Sequence, residues 1–174
     1  MSFELLREIK SVLQGLFADA AYRNPGVDDE GDPDAFISPR IYIGSLPPKR
    51  KHGQTNEDFP FLVVRAIQGE DQNDYSEVSA EIIAGIYTAQ DEEAGSNEIQ
   101  NIIDRVRIRF LQHRMLADRF ELQMPINWST GSDEERNQPH PYYVGQISTT
   151  WRYVQPQQLH TLNTELDTYG SGYK

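Results

Sequence analysis

The chain has 174 residues, 37 % of them hydrophobic and 25 % charged, which suits one globular domain with a real core. It has no cysteine, so disulfides and thiolate metal sites are excluded, and a secreted disulfide scaffold with them. Its 16 Lys and Arg against 27 Asp and Glu leave a net charge of −11, which opposes general DNA affinity because neutralising phosphates takes clustered cations.

Ser2 to Phe17 reads as an amphipathic helix. Leu5, Leu6, Ile9, Val12, Leu13, Leu16 and Phe17 fall on one stripe at helical spacing. Ser2 can cap its start, and Glu4 lies in the favourable first turn. Glu4, Arg7, Glu8 and Lys10 interrupt any apolar export-signal core. No stretch approaches the ~20 apolar residues of a membrane span. Synthesis and folding in the cytoplasm are therefore expected.

The segment 24–34 carries two prolines and five acids, so it reads as an irregular acidic loop. Ile41 to Ile43 reads as a short strand. The segment 46–59 contains Pro47-Pro48 and the basic run Lys49, Arg50 and Lys51, and reads as a long exposed loop. Phe61–Ile67 and Glu77–Tyr87 read as an antiparallel hairpin with a long polar tip over 69–76. Val78, Ala80, Ile82, Ala84 and Ile86 share one face of its second strand.

A second helix follows, with Ser96 as its expected N-cap and a core stripe of Ile99, Ile102, Ile103, Val106 and Phe110. Arg107, Arg109 and Arg114 lie toward the negative end of its dipole. Arg119 to Met124 alternates as a strand, 128–140 reads as a polar loop, and Tyr142 to Val154 reads as a long final strand. The predicted fold is α+β, an antiparallel sheet of about four to five strands with two helices packed on one face. It occupies residues 1–156, with 157–174 as a flexible tail of low apolar content.

No catalytic constellation stands out. The sequence has no Gly-rich phosphate loop and no nucleophile elbow. His52, His113, His140 and His160 are scattered, without the spacing of a helical metal site. The acids Asp28, Asp29, Glu30, Asp32 and Asp34 lack the ligand spacing and closing Glu of an EF-hand, so a solvated loop is the simpler reading. Glu92–Glu93 and Glu134–Glu135 fall in expected loops, whereas general acid–base work needs positioned, desolvated groups. No enzyme, cofactor or metal site is expected. Lys49, Arg50 and Lys51 have no interleaved aromatics to stack bases; they read as a solvated loop or as a charged docking loop for an acidic partner.

Two features point to assembly. Ile108, Leu111 and Met115 fall opposite the core stripe of the second helix, and a helix apolar on two faces is buried on two faces. Either the first helix covers this patch or another subunit does; periodicity leaves both open. The long polar excursions, in turn, suit a domain that grips neighbours on several sides.

The run SFELLREIKSVLQGLF, the strand beginning DFPFLVVRAI, the turn GEDQNDYSEV, the strand SAEIIAGIY, the helix SNEIQNIIDRVRIRFLQHR and the strand YYVGQISTTWRYVQP together resemble the tail-terminator (tail-completion) family of long-tailed, lambda-like phages. The resemblance spans Ser2 to Pro156, and 24–59 is longer than a minimal member needs. It implies a homohexameric ring that caps the tail tube, stops its polymerisation and presents the head-attachment surface. The implied partners are further copies of the chain, the tail tube protein and the head–tail connector or neck protein. DNA would pass through without specific binding, which the acidic balance suits. The implied location is the virion, after assembly in the host cytoplasm and with no membrane involved. Three other functions remain open: another neck, head-completion or tail protein; a peptide-binding module; and, from a different class, a small metal-dependent hydrolase using the acids near Asp28–Asp34.

Overall fold

The computed structural model describes residues 1–25, 27, 35–47, 58–89, 92–131 and 140–155. In chain order the elements are α1 (Ser2–Leu16), β1 (Tyr22–Arg23), β2 (Phe36–Ile37), β3 (Arg40–Ile43), β4 (Phe61–Asp71) and β5 (Tyr75–Tyr87). They continue with α2 (Glu92–Gln112), β6 (Met115–Leu116), β7 (Phe120–Thr130) and β8 (Tyr142–Val154). Six strands form one sheet in the order β3-β4-β5-β8-β7-β6, and β1 and β2 pair separately. Both helices pack on the same face of the large sheet, and the class is α+β.

The alternation of the long strands explains the layering. Val78, Ala80, Ile82, Ala84 and Ile86 of β5 all point under the helices and are buried. The register places them beside Trp151, Thr149, Ile147, Gly145 and Tyr143 of β8. From above, α1 contributes Leu5, Leu6, Ile9 and Leu13, and α2 contributes Ile99, Ile102, Ile103, Val106 and Phe110. These residues form one continuous core. Each fully buried Leu, Ile or Phe contributes about 1.5–3 kcal/mol relative to exposure. Phe110 stands edge-on to Trp151 with ring centroids 5.4 Å apart, which pins α2 to the middle of β8.

Several expectations are corrected. The sheet has six strands where about four to five were expected; the expected strand Ile41–Ile43 lies in β3, and the unexpected one is β6, whose two residues are too few to display a period. It is not wholly antiparallel, since β3 runs parallel to β4. The long chain between β3 and β4 permits this, because parallel neighbours need a crossover. The polar stretch 69–76 is mostly strand, so the hairpin tip shrinks to Gln72–Asp74. Its polar residues are tolerated because this end of β4 is exposed throughout.

Ser2 is the first residue of α1 and makes no capping bond; Met1 holds the cap position and its carbonyl accepts from the Glu4 and Leu5 N–H groups. Ser96 lies inside α2, which begins at Glu92. Gly95 sits a turn into the helix because an added Cβ there would come within 2.2 Å of the buried Tyr143 ring. Met115 is not on α2 at all. The helix ends at Gln112, and Met115 belongs to β6, which a tight turn through Ala117 and Asp118, both at positive φ, joins to β7. Strand β7 runs on to Thr130, so Trp128 to Thr130 are strand and not loop. Asp28–Asp34, the basic run Lys49, Arg50 and Lys51, His52, His160 and the expected flexible tail 157–174 lie outside the described residues.

Candidate functional site

The site begins with α2. Its core stripe is spent on the sheet, yet Ile108 is 54 % exposed and Leu111 38 % exposed. Helix α1 does not cover them. It packs instead along β3, β4 and β6 and meets α2 on the other flank, where Arg105 stacks on Phe17 at 4.7 Å and donates to the Leu16 carbonyl at 2.7 Å. Among the described residues, α1 therefore leaves Ile108 and Leu111 uncovered.

At helical spacing Arg107 and Leu111 share a stripe, with Ile108 beside it. The Arg107 guanidinium lies 4.6 Å over the Trp128 ring of β7 and pairs with Asp104 at 2.7 Å. Trp128 is itself 43 % exposed and Met124 53 %. Leu111, on the Arg107 side of α2, and Trp128 beneath Arg107 are thus exposed where α2 overhangs β7, and Ile108 is exposed on the outer side of the helix. Met115, 49 % exposed, lies apart from them in β6. It lines a 440 Å³ groove with Met1, Tyr75, Arg152, Tyr153 and Val154.

The opposite face of the sheet carries no helix among the described residues. Along its centre run the uncharged polar residues Ser79, Gln146, Ser148, Thr150, Gln123 and Asn127, together with the apolar Val63 and Ile83. Two ion pairs cross its strands. Arg65 meets Glu81 at 2.6 Å, and Arg152 meets Glu77 at 2.7 Å. The Glu77 carboxylate raises the Arg152 pKa above its usual value by accepting a hydrogen bond from the guanidinium. At one end of this face Phe59, Phe61, Tyr87 and Tyr142 form an aromatic cluster with centroids 5.0 to 5.4 Å apart. Gly85 permits it, since a Cβ there would come within 2.4 Å of the Phe61 ring.

A second recess, of 400 Å³, gathers Arg23, Phe36, Thr88, Asn97, Glu98 and Asn101. Burial pushes the Glu98 carboxyl pKa upward. The recess holds one carboxyl, one guanidinium, two carboxamides and a hydroxyl. His113 and His140 are exposed and belong to neither recess. Among the described residues no group of three or more His, Asp and Glu is placed to hold a metal ion.

The structure brings together Ile108 and Leu111, separates Met115 from them, and adds Trp128, which sequence reasoning missed. The sequence placed it in the expected loop 128–140, where no period marked a face. Trp128 falls on the helix-facing side of β7, opposite Ile147, at a point where the sheet has nearly run out of helix to cover it. No family model matches the chain, and no curated protein matches it.

Proposed function

We propose that this chain is a structural assembly subunit of the tail-terminator kind, which forms a ring with its own copies, caps a phage tail tube and offers a surface to the neck. The observation that carries the proposal is the exposure of Ile108, Leu111 and Trp128, large apolar side chains left in solvent by a domain that buries its other helix stripe completely. Exposed apolar side chains flanked by charge fit a protein–protein contact better than a solvated surface. The bare sheet face adds support. Its uncharged polar residues and cross-strand ion pairs present little net field to passing DNA. In this reading the chain works without catalysis, in the virion, after folding in the cytoplasm.

The test is native mass over a concentration series, with negative-stain images of the same samples and of mixtures with purified tail tubes. Closed rings, and capped tubes that no longer elongate, are the expected result. A chain that stays monomeric and leaves tube ends bare would overturn the reading.

A further inference from the structure

The two lateral edges of the large sheet differ in chemistry and match one another. On one side β3 covers β4 only from Phe61 to Val64, so no described strand lies outside Arg65–Asp71. That stretch is exposed and includes Ile67 at 57 %. From Ala66 through the turn to Ser76 the hairpin carries Glu70, Asp71 and Asp74 and no base. On the other side β6 pairs with β7 only at Phe120 and Glu121, so no described strand lies outside Gln123–Thr130. Leu122 to Thr130 is uncharged and is flanked by Arg107 and Arg114.

The register sets these features at the same height. Gly69 pairs with Val78, Val78 with Trp151 and Trp151 with Leu122, whose N–H donates to the Arg114 carbonyl at 2.7 Å. Arg114 therefore stands across the sheet from the acidic end of the hairpin. In the same way Arg65 stands across from Asn127, through Glu81 and Ser148. The strand directions also agree. β4 is antiparallel to β5, β5 to β8 and β8 to β7, so β7 runs antiparallel to both β4 and β3.

We propose that copies of this chain join head to tail by continuing the sheet, the β7 edge of one copy pairing antiparallel with the β3–β4 edge of the next and Arg114 meeting the acids of the hairpin tip. This rests on the ring reading above and names the surface that closes the ring. The occupant is a second copy because charge selects it. Two hairpin tips would set Glu70, Asp71 and Asp74 against the same acids, whereas Arg114 at the other edge offers them a cation. Pairing across this joint satisfies open backbone groups on both edges outside the bulge at Ala66–Gln68 and the irregular stretch Gln123–Asn127, where Pro125 has no N–H to donate. A contact between two different patches is heterologous, and it closes when the rotation per copy divides the circle.

The test is charge reversal, read by native mass and sedimentation at fixed salt, with circular dichroism to confirm folding. Glu70→Arg alone and Arg114→Glu alone should each weaken assembly about tenfold or more, because each sets like charges across the joint. An equimolar mixture of the two variants should assemble again in alternation, and the double variant should assemble by itself. If both single variants form wild-type rings, this joint is wrong while the ring reading survives. If the single variants fail and the mixture also fails, head-to-tail pairing at these residues is wrong. If the wild-type chain forms no ring, alone or on tubes, both readings fall.

Discussion

Thr149 lies at the centre of the sheet and shows how tightly single polar groups are placed here. Its hydroxyl donates to the Ala80 carbonyl at 3.1 Å and accepts from the Trp151 indole N–H at 2.9 Å, with both side chains buried. Thr149→Val keeps the shape and removes both bonds. The buried indole N–H and carbonyl lose this partner, so the expected cost is about 1–3 kcal/mol in urea unfolding. A variant as stable as the wild type would show that the pair is dispensable. Glu98 is the second case. Burial raises its folded pKa above the unfolded value. Its contribution to stability is therefore greatest below the unfolded pKa and is lost as pH rises through the folded one. Glu98→Gln removes that titration. The variant should be more stable than the wild type at neutral pH, and the difference should shrink toward acid, where both side chains are neutral. Denaturation midpoints measured across the carboxylate range check this. A wild type more stable at neutral pH would mean that Arg105, which lines the neighbouring recess with Glu98, outweighs the burial.

Helix α2 separates two kinds of apolar residue within one turn. Phe110 is fully buried against Trp151, while Ile108, two residues earlier, is 54 % exposed. Phe110→Ala should cost about 3–5 kcal/mol, the lost transfer energy plus the cavity. Ile108→Asp should leave the monomer within about 1 kcal/mol of wild type, since the side chain is 54 % exposed. The same change should weaken ring formation if copies bury this residue, because it would place an unpaired carboxylate in their contact. Thermal melts and native mass on the same samples distinguish the two effects. An unfolded Ile108→Asp monomer would return the residue to the core. The core stripe of α2 was legible from spacing, as was the surplus at Ile108 and Leu111. The placement of Met115 was not. Helical spacing carries on through His113 and Arg114, whereas the backbone turns at Ala117 and Asp118, whose positive φ no strong sequence signal announces.

For the whole molecule, a net charge of −11 coexists with a sheet face that carries two cross-strand ion pairs. Such a domain should not hold duplex DNA. Fluorescence anisotropy with a labelled duplex at physiological salt should stay flat across the concentration range in which rings form. Binding with a steep salt dependence would contradict the non-adhesive face and demand a phosphate-binding surface. The same charge makes self-association sensitive to which edges meet. A chain this acidic repels its copies in most orientations, so a specific joint must place its few exposed arginines against acids.

The sequence alone determined the two amphipathic helices, the long strands and the shared core, because burial on one face imprints a period of 3.6 or 2 on the residues themselves. Val78 to Ile86 and Ile99 to Phe110 carry that imprint plainly, and the boundaries Tyr142 and Val154 were legible to the residue. The tertiary structure alone decided strand order, the parallel β3, the bare face and the two unlike edges. Those depend on which strand lies beside which, and a strand's own alternation is the same whatever neighbour it pairs with. The height at which Glu70 and Arg114 stand follows from four strands in register, and no local pattern in the chain encodes it.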